Sequence, residues 1–357
     1  MTKKYRAGII GCGGMGKHHA KPYTENPSTT LVAAADINEE AAKTLATDFS
    51  IPAVYTDYNE MLEKEDLDII SIPTWQGVRA EVTIAAAKAG VKGILGEKPM
   101  AAALGEADDM IEACEKYGTK LAIGHNGRFG TTSTEIRRLV QDGAIGQPTF
   151  LHRRSKPNAG LLNIGTHCID GMRYLLSDPE TLWVIGQTSR TSDRWERRTR
   201  CEDLCMGLIC FEGGTRGIYE SDLPEPVLPA PLIQGTAGQI RQGEGDTVLL
   251  QSDKTSGWKE IPSRPDRTGK SGQSGLIQEL IDWMEGEIPE HRSSGRQARY
   301  TMEIMMAIYE SLRIKNVVEM PLTTRESPLE LMVEDGTLPV LNPGRYDLRK
   351  PFPEQKK

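Results

Sequence analysis

The run Gly11-Cys12-Gly13-Gly14-Met15-Gly16 carries the G-x-G-x-x-G spacing of a phosphate-cradling turn. Each glycine has its own steric duty. Gly11 permits a tight turn, Gly13 lets the backbone approach a pyrophosphate, and Gly16 allows close helix–strand packing. A helix starting there would turn its N–H groups and the positive end of its dipole toward phosphates. Asp36 follows Gly16 by 20 residues, the distance at which a dinucleotide fold sets an acid on a ribose 2′-hydroxyl. An acid there repels a 2′-phosphate, and Ile37 comes next rather than a basic residue. The pair favours NAD over NADP. The competing reading is a Gly-rich surface turn followed by a helix-capping Asp.

Both features need particular elements around them. Residues 6–10 read as a buried strand ahead of the glycines, and residues 31–35 as a strand ending at Asp36. Helical patterns at 41–49, 81–89 and 104–117 alternate with strands at 68–73, 92–96 and 120–124, with Gly90 and Gly118 as helix stops. This alternation predicts an α/β fold, a doubly wound parallel sheet over residues 1–125. Ligands of such sheets lie beyond the carboxyl ends of the strands. Gly11, Pro73, Glu97-Lys98-Pro99 and His125 stand at those ends, so they should converge on one crevice.

After residue 125 the pattern changes. Residues 135–142 form a short helix, and a second helix opens near Thr166. Residues 204–211 and 215–220 alternate like antiparallel strands across Gly213-Gly214. Pro224, Pro226, Pro229 and Pro231 mark an extended connection. Strands are expected at 233–238 and 247–251, a loop at 262–275, and helices at 276–284 and 298–314. Residues 126–322 therefore read as an α+β domain on an open, largely antiparallel sheet. Residues 323–357 read as an arm wrapping a neighbouring subunit or as a loose tail.

The 357 residues suffice for about two domains. Hydrophobic residues make up 38% and charged residues 26%, which predicts packed cores rather than disorder. The net charge of −7 argues against a nucleic-acid binder driven by phosphate neutralisation. No apolar run reaches the length of about 18 residues that a membrane-spanning helix needs. The N-terminus lacks a signal-peptide pattern, and six scattered Cys show no disulfide framework, so a reducing, cytoplasmic setting is expected. Cys201, Cys205 and Cys210 lie on or beside one alternating strand, a poor arrangement for zinc. Arg190, Arg194, Arg197, Arg198 and Arg200, with Arg153 and Arg154 upstream, form a basic cluster. It could clamp a carboxylate or phosphate substrate; a solvated loop or subunit contact is the favoured expectation.

Six segments together resemble the glucose–fructose oxidoreductase/inositol dehydrogenase (Gfo/Idh/MocA) family over residues 5–320. They are the glycine run at 11–16, Asp36, Glu97-Lys98-Pro99, Asn126-Gly127-Arg128-Phe129, Gly143-Ala144-Ile145-Gly146 and Gly165-Thr166-His167-Cys168-Ile169-Asp170. The resemblance implies a Rossmann domain, an open-faced sheet that makes homo-oligomer contacts (a dimer or tetramer), and a nicotinamide cofactor. It also implies a sugar- or cyclitol-like substrate whose secondary alcohol is reversibly oxidised to a ketone. Cofactor contacts would come from residues 11–16, Asp36, Ile37, Pro73, Thr74, Trp75, Glu97, Lys98 and Pro99. The substrate would meet Lys98, His125, Asn126, Arg153, Asn163 and His167. The family's Pro in this motif is often cis.

Hydride loss from an alcohol carbon requires removal of the hydroxyl proton, best done by a group titrating near the working pH. His167 fills that role in the resemblance, and Lys98 would stabilise the developing alkoxide. One departure stands here. The family often has Asp four residues before this His, where this chain has Asn163, which orients but supplies no charge. Asp170, three residues on, is an alternative carboxylate. His167-x-x-Asp170 could hold a metal in isolation, but the other ligands are missing and no metal is expected. Arg79 stands near where the family commonly has His. Trp75 flanks the nicotinamide, stacks on a sugar face or packs in its loop. Arg128 is a substrate ligand or a structural anchor, and His18-His19 a packing pair or a ligand. Two other functions remain open: a glycosidase or lyase using tightly held NAD for transient oxidation, and a non-catalytic NAD-binding sensor.

Overall fold

The computed structural model describes residues 4–155, 159–221 and 232–347. The chain divides into two compact units. The first holds residues up to Ala101, Glu106–Phe129 and Arg267–Ala298; the second holds Ala102–Gly105, Gly130–Asp266 and the segment from Arg299 on.

In the first unit six parallel strands run in the order β3-β2-β1-β4-β5-β6. They are β1 (Tyr5–Ile10), β2 (Thr29–Ala35), β3 (Ala53–Tyr55), β4 (Ile69–Ile72), β5 (Gly93–Gly96) and β6 (Lys120–Ile123). The connecting helices are α1 (Gly14–Glu25), α2 (Glu39–Phe49), α3 (Tyr58–Lys64), α4 (Gln76–Lys88) and α5 (Leu104–Tyr117). Every residue of β4 and β5 is buried, as expected of parallel strands covered on both faces. The helix α2 starts before its first apolar residue because the Asn38 side chain accepts from the Glu40 and Ala41 N–H groups. β3 and α3 escape sequence reading: three residues carry too little alternation, and only Met61 of α3 is buried. Helix α4 begins at Gln76, five residues earlier than its Ala-rich stretch suggests.

A late helix, Gly272–Met284, belongs to this unit. Its Leu276, Ile277, Leu280 and Ile281 share one buried cluster with Ile9, Ile69 and Leu95. Gly93 gives it room, since a Cβ there would stand 2.5 Å from the Met284 sulfur.

The second unit opens with α6 (Thr131–Gln141), β7 (Pro148–Arg154) and α7 (Thr166–Leu175), the last entered through a π turn at Leu161–Gly165. There follow β8 (Thr181–Ser189), β9 (Ser192–Glu196), β10 (Thr199–Arg200), β11 (Leu204–Phe211), β12 (Arg216–Glu220), β13 (Ile233–Gly235), β14 (Gly238–Gln242), β15 (Thr247–Ser252) and β16 (Lys259–Pro262). After the late helix, now α8, come α9 (Gly295–Ile314), β17 (Val318–Glu319), α10 (Pro328–Glu334) and β18 (Asn342–Asp347). Nine strands form one sheet, β16-β15-β14-β13-β7-β12-β11-β8-β17. All its pairings are antiparallel except β7 with β12. Glycines let α7 lie close to this sheet: a Cβ on Gly165 would stand 2.6 Å from the Tyr219 hydroxyl.

Three expectations change. The strand expected at 233–238 is the two strands of a hairpin, turning at Thr236-Ala237. The loop expected at 262–275 ends at residue 271, because α8 begins at Gly272. The arginine cluster, expected as a solvated loop or subunit contact, is partly taken into the fold, though Arg198 is exposed. Arg194 and Arg200 lie on β9 and β10 of a small sheet, β10-β9-β18, Arg190 just precedes it, and Arg190 and Arg194 are buried. Arg190 pairs with Asp193 at 2.8 Å, Arg194 faces Glu196 at 3.8 Å, and Arg200 pairs with Glu330 while stacking on Trp195. Asp193 and Glu196 on β9, and Glu330 from α10, offset part of the penalty of burying these guanidiniums. The segment from residue 323 contributes α10 and then β18, which pairs in parallel with β9. The Pro224–Pro231 connection lies outside the described residues. Among the described residues no helix is long and apolar enough to cross a membrane.

Candidate active site

In the first unit the glycine run leaves β1 in a left-handed turn, with φ of +107° at Gly11. A side chain there would also meet the backbone of Pro73 and Thr74 at 3.2 Å, so both the turn and the close approach require glycine. Asp36 ties the turn to β2: Oδ2 accepts from the Cys12 N–H at 2.7 Å, and Oδ1 accepts from the Asn38 N–H at 2.8 Å. The Cys12 thiol is buried and donates to the Ala35 carbonyl at 3.4 Å. Burial and the neighbouring Asp36 push it up to about 12, so it stays neutral and works as packing. A Cβ on Gly16 would stand 2.5 Å from the Gly11 carbonyl oxygen, whereas Gly13 and Gly14 face open space. Helix α1 begins at Gly14 without a side-chain cap. Met15 is exposed, and Ile37 is 89% exposed beside Asp36.

These features fit NAD. An open glycine face and an uncapped helix start would take the pyrophosphate. Asp36 retains lone pairs for ribose hydroxyls, and Ile37 offers an apolar surface. Thr74 adds a further mark of fit: its buried hydroxyl has no hydrogen-bond partner among the described residues.

The carboxyl end of β5 carries the second part of the site. The peptide bond between Lys98 and Pro99 is cis, and Lys98 is buried. Glu97 holds this turn. Its Oε1 meets His19 Nε2 at 3.0 Å, and its Oε2 accepts from the Lys98 N–H at 3.1 Å. Burial raises the Glu97 carboxyl, but the His19 hydrogen bond and the neighbouring charges of Arg79 and Lys98 outweigh it and hold it at about 2. Arg79, buried in α4, donates to the carbonyls of both Pro99 and Thr74. It therefore braces the Lys98 turn against the loop after β4. His19 sits on the buried face of α1 with Gly16, Ala20 and Tyr23, so its helical spacing was the one sequence signal of an inward role. Trp75 stands just ahead of α4 and is 42% exposed.

Beyond β6, His125 is buried and its N–H donates to the Ile123 carbonyl at 2.7 Å. Asn126 is exposed at the start of a single 3-10 turn, Asn126–Phe129. Arg128 is a structural anchor: it is buried, and Nη1 donates to the Arg292 carbonyl at 2.9 Å. The structure thus gathers residues 11–16, Asp36, Pro73, Thr74 and Glu97–Pro99 along one edge of the first sheet.

The second unit holds the other candidates. Asn163 is buried within the π turn, His167 is half-buried in the first turn of α7, and Asp170 is buried one turn on. Asp170 Oδ1 accepts from the Thr301 hydroxyl at 3.2 Å, so part of its capacity is committed to α9. The π turn is held from behind. Glu202 Oε1 accepts from the Leu161 N–H at 2.6 Å, and its Oε2 accepts from the Tyr309 hydroxyl at 2.6 Å. Glu196 Oε2 accepts from the Gly160 N–H at 3.2 Å. Sequence reading missed Glu202 and Tyr309, which are 107 residues apart.

A family model described as an oxidoreductase family with an NAD-binding Rossmann fold matches residues 5–125, and its C-terminal domain model matches residues 133–241. The chain belongs to the Gfo/Idh/MocA family. It is accordingly an oxidoreductase, with NAD as its cofactor. D-apiose dehydrogenase of Paraburkholderia graminis is 24% identical over 373 aligned residues, covering 94% of this chain and 95% of that one. Myo-inositol 2-dehydrogenase of Thermotoga maritima is 26% identical, covering 60% of this chain and 68% of the relative. The crystal structure of aldose-aldose oxidoreductase from Caulobacter crescentus superposes with a TM-score of 0.76 at 23% identity, covering 89% and 100% of the two chains. At that identity the superposition speaks for the Gfo/Idh/MocA fold alone.

Proposed function

We propose that this protein reversibly oxidises a secondary alcohol of a sugar, cyclitol or sugar acid to the ketone. The observation that carries the reading is the buried Lys98 just after β5, in a turn that Glu97 and Arg79 hold. Relatives named as apiose and inositol dehydrogenases support the polyol class.

NAD, when bound, supplies the acceptor for the hydride that leaves the alcohol carbon. The chain's own residues handle the oxygen and its proton. The Lys98 ammonium stabilises negative charge growing on the alcohol oxygen, in a dry setting where a fixed cation is worth most. His167 takes the hydroxyl proton as the carbonyl forms. Asn163 orients without charge, so His167 works with weaker anionic support than an Asp would give. His125, Asn126 and Arg153 complete the proposed substrate contacts, and Trp75 the cofactor contacts.

We also assign the outer face of the nine-stranded sheet to a second copy of the chain, giving a homodimer or tetramer. Leu182 and Ile185 of β8, with Leu204 and Met206 of β11, expose 40–44% of their surface on adjoining strands. Light scattering would report the mass. Six cysteines without a disulfide suit the reducing cytoplasm we assign to it.

The deciding experiment supplies NAD and NADP separately with a panel of sugars, cyclitols, sugar acids and sugar phosphates, followed by mass spectrometry. Reduced NAD in step with a ketone lighter by two hydrogens supports the proposal. Substrate consumed without net reduction overturns it in favour of internal redox cycling.

A further inference from the structure

Arg153 has a cationic head for which no carboxylate partner exists among the described residues. Side chains on β7 alternate between faces. His152 and Arg154 share one face and share Glu220, at 2.7 and 3.9 Å. Arg153 turns to the other face and lies against α7. There its charge lies near the Cys168 thiol, which donates to the Arg154 carbonyl at 3.7 Å, and its Nη2 lies 3.2 Å from where a Cβ on Gly171 would stand. Gly171 is four residues beyond His167, so the two share a helix face, about 5–6 Å apart at the backbone. The missing side chain at Gly171 is what seats the guanidinium one turn from the imidazole.

The contrast with neighbouring arginines is sharp. Arg137 and Arg173 both reach Asp178, at 2.8 and 3.9 Å, and Arg190 reaches Asp193 at 2.8 Å. A half-buried guanidinium has five donors in a planar fork, and a neighbouring thiol answers few of them. A planar carboxylate is the group such a fork binds best. A phosphate monoester, with charge of about −2, calls for more than one cation, and the flanking His152 and Arg154 point away.

We propose that Arg153 is a specificity residue that binds a substrate carboxylate beside His167, making sugar acids such as aldonates or uronates the preferred substrates. The proposal rests on the reading of His167 as the base of an alcohol dehydrogenase. It goes beyond that reading by choosing among its substrate classes.

The test pairs acids with neutral counterparts on the NAD-loaded protein: D-gluconate with D-glucitol, D-galacturonate with D-galactose, and D-glucose 6-phosphate as a third arm. The expected acid-to-neutral ratio of kcat/KM is about 10² for at least one pair. Arg153→Met should lower that ratio by about 10²-fold, and Arg153→Lys should restore part of it. Circular dichroism checks that each variant is folded. Calorimetric titration of the two acids into wild type and Arg153→Met gives a readout that does not need turnover. Arg153-dependent binding of an acid, with or without reduction of NAD, supports the inference. An unchanged ratio, acid binding indifferent to Arg153→Met, or a preference for the phosphate overturns it. Neutral sugars oxidised with that unchanged ratio would sink the inference yet leave the dehydrogenase reading standing. No NAD reduction on any compound would sink the dehydrogenase reading itself.

Discussion

Glu97→Gln keeps the shape of a buried side chain while removing the charge that ties α1 to the Lys98 turn. In the folded protein the carboxyl is held at about 2 against an ordinary 4.5. A gap of that size corresponds to about 3 kcal/mol of stability at neutral pH. Because the folded value is the lower one, the contribution is complete above the unfolded value. It drains away as pH falls from about 4.5 toward about 2. The amide can still accept from either His19 or the Lys98 N–H, but it cannot answer the positive charge of Arg79 and Lys98. Melting of a unit of this size should therefore drop by about 6–12 °C at pH 7. Calorimetric melts at pH 7, 5.5 and 3.5, wild type against variant, measure the effect. The stability gap should be equal at the first two and narrower by about 1.4 kcal/mol at the third. A gap that stays constant down to pH 3.5, or one below about 1 kcal/mol at pH 7, refutes the charge argument.

Three further outcomes are expected. Lys98→Met should lower kcat/KM by about 10³-fold or more while leaving NADH affinity, read by fluorescence titration, within about threefold; turnover within tenfold of wild type would remove Lys98 from the chemistry. The two glycine changes should separate. Gly13→Ala enters open space and should weaken NADH binding at unchanged melting temperature, whereas Gly16→Ala strikes the Gly11 carbonyl and should lose about 1–3 kcal/mol of stability. Glu202→Gln should destabilise by about 1–3 kcal/mol and Tyr309→Phe by about 1 kcal/mol, and a melt that leaves either variant at the wild-type temperature would show that the π turn is held by something else.

The cofactor loop was legible because its information is short-range. Gly11, Gly13, Gly16 and Asp36 lie within 26 residues, and their spacing alone states which backbone must turn, which must approach and which must pack. Strand and helix alternation announced the parallel sheet for the same reason: burial on both faces writes itself into near-continuous apolar runs such as Ile69–Ile72, broken only by Ser71. Where the run is only three residues, as in β3, the same signal disappears. The arginine cluster misled because a count of charges does not show which of them have partners. Asp193 and Glu196 stand within three residues of Arg190 and Arg194, whereas the Arg200 partner, Glu330, lies 130 residues further on in α10.

By itself, then, the order of residues determined the family, the parallel Rossmann sheet, the NAD-binding turn and the identity of Lys98 and His167 as candidates. All follow from patterns a few residues to a few turns long. The tertiary structure decided what holds those candidates. His19 reaches Glu97 across 78 residues, Thr301 reaches Asp170 across 131, and α8 returns late in the chain to cover β5. It also decided that Arg153 faces α7 without a carboxylate while its neighbours pair with Glu220. Periodicity predicts that a side chain is buried, but not which distant surface buries it. That choice depends on the packing of elements whose separation along the chain leaves no local trace.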